Sequence, residues 1–188
     1  MYKRYGFYSL CLIPLLTFLM ASGFQLTSTN FSVIGNRGGH RLAFLLWGAL
    51  TGNSFYLYTE KLMELTDCRD RMAEGFLFSS LVFFVVAVGI PYVPERVPGM
   101  SHLHVEISFM APVLLGLSQI RFLLFLQKKM NERFLTQWLL LAFLGFGSAF
   151  LFLSIGIVSS LLEIFLILGI CFYLLLLHHK LKKMMCFV

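Results

Sequence analysis

The side chains able to do chemistry gather in two short stretches of this 188-residue chain, QLTSTNFSVIGNRGGHR (25–41) and PYVPERVPGMSHLHVE (91–106). Three of the five histidines, His40, His102 and His104, lie in or beside them, with Arg41, Glu95, Arg96 and Glu106. Imidazole and carboxylate ligate metals and move protons, and guanidinium recognises anions in a fixed fork. Pro91, Pro94 and Pro98 forbid a regular helix across the second stretch, and Ser101 is positioned to cap the helix that follows. Within that helix His102 and Glu106, four apart, share a face. His104 points roughly 200° away from His102 at about 100° per residue, so HLH cannot chelate one ion from a regular helix.

Three chemistries compete for these groups. A zinc ion wants three or four ligands, and His40, Glu95, His102 and Glu106 are the candidates. No HExxH or paired-cysteine spacing fixes their geometry, so no cofactor is expected and zinc is the alternative. A proton relay through His102, Glu106 and Glu163 would suit a small transporter, but the apolar runs lack the broken, polar midplane of transporters. The third chemistry is a headgroup pocket. His40, Arg41 and Arg96 would donate to an anionic group, with Glu95, His102, His104, Glu106 and Glu163 around them.

The elements that carry these residues are membrane helices. Hydrophobic residues make up 59% of the chain and charged ones 13%, too much apolar surface for a soluble domain of this length to hide. A span needs about 20 apolar residues, which divides the chain at about 5–24, 42–60, 73–93, 102–127, 134–153 and 160–178. The run from Phe134 to Leu177 is roughly twice too long for one crossing and must turn back, at SIGIVSS (154–160). Backbone groups in lipid must be paired within the protein, and no strand-like alternation is present, so residues 1–188 form one all-α polytopic bundle of six transmembrane helices.

Basic residues orient it. With the N-terminus cytoplasmic, eleven cations (Lys3, Arg4, Lys61, Arg69, Arg71, Lys128, Lys129, Arg133, Lys180, Lys182, Lys183) fall inside. Three (Arg37, Arg41, Arg96) fall outside, with Arg121 near the inner end of span four. Both termini are therefore expected in the cytoplasm, and the two polar loops and the pocket outside. A cleaved signal peptide over 1–23 is the rival, but its apolar run exceeds the usual length. The net charge of +6 marks no nucleic-acid binder, because the cations cap apolar runs and form no basic stripe.

The remaining polar positions read as architecture. EKLMELTDCRDRMAE (60–74) is a solvated connector with local ion pairs, and His178 and His179 are interface anchors. No disulfide is expected of Cys11, Cys68, Cys171 and Cys186. Gly48 and Gly52 form a GxxxG that lets a neighbour approach, either within the bundle or on a membrane-protein partner.

TNFSVIGNRGGHRLAFLLWGALTG followed by GIPYVPERVPGMSHLHVEISF resembles a bacterial six-helix membrane family of unknown function, itself similar to the DRAM-like and GPI-anchor-remodelling membrane proteins. The shared pattern falls on Ser32, Gly35, Gly48, Gly52, Pro94, Glu95, and His102 or His104. That resemblance implies a bacterial cell membrane, lipid as the partner and a role in lipid handling, with no catalytic residues to carry over. A likeness to ceramidase and progestin-receptor-like hydrolases would imply zinc held by three histidines beside a serine and an aspartate. This chain has no intramembrane aspartate. The expectation is an outer pocket for a lipid headgroup or small polar ligand, leaning away from an enzyme. A metal-dependent lipid hydrolase, a small transporter and an accessory or scaffold subunit are the alternatives.

Overall fold

The computed structural model describes residue 7 and residues 11–36 and 39–185; Lys3, Arg4, Arg37 and Cys186 lie outside them. The described residues form helices joined by turns: α1 (Ile13–Ala21), α2 (Phe31–Asn36), α3 (Arg41–Leu65), α4 (Arg71–Gly89), α5 (Pro98–Met130), α6 (Leu135–Ile155) and α7 (Ser160–Met185). Four of them, α4 to α7, are long and apolar enough to cross a membrane. α3 is also 25 residues long but carries Thr51, Asn53, Ser54, Thr59, Glu60 and Lys61. Phe146 and Leu153 on α6 are each 79% exposed, which is tolerable in hydrocarbon and not in water. The chain is an all-helical membrane protein.

Helix ends follow local chemistry. Asp70 caps α4, its Oδ1 accepting from the amides of Met72 (2.9 Å) and Ala73 (3.1 Å). Asn131 (φ 49°) and Gly156 (φ 79°) end α5 and α6 in left-handed conformations. Gly156 lies in the SIGIVSS turn, where the apolar run folds back as expected. Ser101, by contrast, is not a cap. Proline is favoured at the first helical position, so α5 begins at Pro98. Ser101 Oγ instead accepts from Val93 N–H (3.1 Å), fastening the proline loop to the helix.

One pair of helices organises the rest. α4 and α5 are antiparallel and tied by three rungs at seven-residue intervals. Ser118 Oγ donates to the Ala73 carbonyl, Ser80 Oγ to the Ala111 carbonyl, and His104 Nδ1 to the Ala87 carbonyl, each at 2.8 Å. A seven-residue repeat keeps one seam facing the partner helix, and alanine at each acceptor lets the backbones approach. Gly48 and Gly52 of α3 face α4, where a Cβ would come within 2.7 Å of Val88 Cγ1 and of Phe84 Cδ1.

At the other end of the bundle from the proline loop, charged side chains pair locally. Arg121 Nη2 donates to Asp70 Oδ2 (2.7 Å), Arg69 and Lys129 lie 3.2 and 3.6 Å from Asp67, and Lys61 pairs with Glu64. His178 departs from its expected anchoring role: it is buried, 2.8 Å from the Tyr58 hydroxyl, while His179 is exposed. The face that carries Leu174, Leu177 and Leu181 into the core carries His178 with it.

Candidate functional site

The topmost rung places His104, 3% exposed, where the proline loop meets the bundle. A carbonyl only accepts, so the bond to Ala87 O puts the proton on Nδ1. Nε2 then presents its lone pair to the Ser32 hydroxyl, 2.7 Å away. Tyr92 of the proline loop covers the imidazole, ring centroids 5.4 Å apart.

Ser32 is held by a loop that has a core of its own. Phe31 (0% exposed) and Ile34 (1%) anchor α2, and Phe31 packs edge-on against Trp47 at 4.8 Å. Asn30 Oδ1 accepts from Val33 N–H (2.8 Å), and Asn36 Nδ2 donates to the Ser32 carbonyl (2.7 Å). The loop also closes the start of α7: the amides of Ser160 and Leu161 donate to the carbonyls of Thr29 (2.6 Å) and Leu26 (2.9 Å). Glu163 returns the contact, its Oε2 accepting from Phe31 N–H at 2.7 Å. A part-buried carboxylate is thus one residue from the serine and fixes the backbone that carries it.

Arg41 opens α3 beside this pair. Its Nη2 donates to the Gly89 carbonyl (2.6 Å), two residues beyond the Ala87 carbonyl that orients His104. Nη1 is buried and has no hydrogen-bond partner among the described residues. The guanidinium also lies 5.7 Å from the centroid of the Phe44 ring.

Of the eight residues proposed from sequence, the structure therefore brings His104 and Glu163 onto α2, with Arg41 bonded to the Gly89 carbonyl two residues from the one that His104 uses. His102 and Glu106 pair with one another at 3.3 Å, as their spacing requires, but are 78% and 62% exposed. Glu95 and Arg96 are exposed in the proline loop, and His40 is exposed with its ring edge-on to Phe24 at 6.0 Å. Among the described residues no three His, Cys, Asp or Glu side chains gather as a metal ion would need, so His40, Glu95, His102 and Glu106 form no joint ligand set.

Sequence reasoning placed Ser32 only within a family pattern and gave no role to the Ala87 carbonyl. The available signal was the seven-residue series Ala73, Ser80, Ala87 facing Ser118, Ala111, His104. A second buried polar group was also missed, in which Gln119 Nε2 donates to Thr59 Oγ1 (3.1 Å). The chain matches no protein-family model, no curated protein and no solved structure.

Proposed function

We propose that the chain is a six-crossing membrane protein with both termini cytoplasmic, whose outward end binds an anionic lipid headgroup or similar small polar ligand, in a role in membrane or lipid organisation. The observation that carries this reading is Arg41 Nη1, a buried cationic donor without a partner among the described residues. A guanidinium N–H sheltered from water costs free energy until an acceptor reaches it, and a phosphate oxygen meets that need with a charge-assisted bond. Exposed Arg96 adds positive charge at the same end.

Six crossings are supported by α3, which at about 1.5 Å per residue is long enough to span the hydrocarbon, and by the apolar stretch that includes α1. The uneven division of basic residues supports the orientation. The resemblance to DRAM-like and GPI-anchor-remodelling proteins is consistent with lipid as the partner and with a bacterial cell membrane. Native mass spectrometry of protein released from mild detergent tests the reading. Wild type should retain a phospholipid and Arg41→Gln should lose most of it; equal retention by both would refute it.

A further inference from the structure

We propose that Ser32 and His104 form a nucleophile–base pair that cleaves an acyl ester of a membrane lipid, a reading that rests on lipid binding at this end of the bundle. A serine hydroxyl is a weak nucleophile until an adjacent base takes its proton, and that base must be held in the correct tautomer by a third group. All three parts are present. The Ala87 carbonyl fixes a proton on Nδ1, and Nε2 faces Ser32 Oγ at 2.7 Å, so in the neutral imidazole Nε2 is the acceptor and can take the hydroxyl proton.

Depth selects the substrate. His104 and Arg121 lie on one helix, separated by about 26 Å at 1.5 Å per residue, close to the roughly 30 Å thickness of the hydrocarbon core. Arg121 is paired with Asp70 near one boundary. His104 then falls near the other, where the ester carbonyls of a lipid lie between acyl chains and headgroups. Exposed His102 and Glu106, within one turn of His104, mark that level as polar. Glu163 is a positioning residue, holding the Phe31 amide next to the nucleophile. Arg41 Nη1, which has no partner among the described residues, is the donor for the phosphate of the same lipid.

The reaction balances with water as the second reactant. Ser32 Oγ attacks the ester carbonyl carbon while its proton passes to His104 Nε2. The tetrahedral adduct collapses, breaking the bond to the lipid alcohol oxygen, which leaves with the proton from Nε2. Water, deprotonated by Nε2, then attacks the acyl-serine, releasing the fatty acid and restoring the hydroxyl. Ester and water become acid and alcohol without oxidation or reduction.

An alkyl fluorophosphonate, which modifies base-activated serines, tests the pair on purified full-length protein in detergent. Peptide mapping should find wild type modified at Ser32, with the rate at least ten-fold lower in His104→Gln and no modification in Ser32→Ala. Ser108→Ala, which removes an exposed hydroxyl bonded only within its own helix, should react like wild type. Glutamine can keep both hydrogen bonds but is no base, so His104→Gln should melt like wild type. Labelling of His104→Gln at the wild-type rate, or an unmodified Ser32 in wild type, would overturn the pair. Lipid retention measured on the same samples separates the two proposals. Retained lipid without labelling overturns the hydrolase and leaves the binding site, whereas labelling without retained lipid supports the pair and overturns headgroup binding.

Discussion

Truncating His104 to alanine should be among the most damaging single changes at this end of the bundle, for three overlapping reasons. It removes the Nδ1 bond to the Ala87 carbonyl, worth about 0.6–2 kcal/mol between membrane helices. It leaves the Ser32 hydroxyl without its acceptor at a residue only 8% exposed, costing about 1–3 kcal/mol for an unsatisfied buried donor. The space of a ring that is 3% exposed would also be emptied, and aromatic truncations in packed cores cost about 3–5 kcal/mol in all. The two lost bonds are part of that truncation cost rather than additional to it, so about 3–5 kcal/mol is expected, a large part of a small domain's roughly 5–15. Ser118→Ala removes one rung of the same ladder and should cost about 1 kcal/mol. His104→Gln, which can keep both bonds, should cost less than Ser118→Ala and unfold close to wild type. Denaturant unfolding in mixed micelles, followed by circular dichroism, measures all three. If His104→Ala falls within about 1 kcal/mol of Ser118→Ala, the account of His104 as the junction of α2, α4 and α5 is wrong.

Other expectations follow from single contacts. Gly52→Leu drives a side chain into the Phe84 ring, already 2.7 Å from where a Cβ would lie, and should lower stability by about 1–3 kcal/mol. Gly116→Ala, where a Cβ meets nothing within 4 Å, should be neutral or stabilising by up to about 1 kcal/mol, and melting temperatures compare the two. Asp70→Asn can keep the cap on α4 but loses the ion pair with Arg121, so it should be milder than Asp70→Ala, which loses both; helix content and unfolding midpoints would show the order. The hydrogen bond and charge of Arg69, with a smaller contribution from Lys129, hold the Asp67 carboxyl below its ordinary value of 3.8. Its small stabilising effect should therefore be complete above that value and vanish as pH falls through the lower folded one. The difference between wild type and Asp67→Asn should shrink in that window, and a constant difference across it would contradict the pairing.

The helical class and the reversal at SIGIVSS were legible because hydrocarbon imposes long apolar runs and glycine breaks them. The relation between His102 and Glu106 was legible too, since spacing on one helix fixes it. What joins separate helices was harder to read. His104 was seen to point away from His102, but its partner came from residue 32, and its acceptor was a backbone carbonyl, which has no signature of its own in sequence. Glu163 was expected among ligand groups, yet it meets the chain's own amide at Phe31. His178 looked like an anchor because lysines surround it, although its leucine neighbours at three- and four-residue spacings set its direction inward. The start of α5 was misplaced because a serine cap was weighed above a proline three residues earlier that can itself begin a helix.

The arrangement at the centre of the account is one proton on one imidazole. Nitrogen-15 magnetic resonance of protein labelled at histidine, with His104 assigned by comparison with His104→Gln, reads that proton directly. The expected result is the Nδ1–H tautomer, unaltered by exchange with bulk water, with the Nε2 resonance shifting in Ser32→Ala as its hydrogen bond is lost. An Nε2–H tautomer, or a His104 resonance indifferent to Ser32→Ala, would contradict the account.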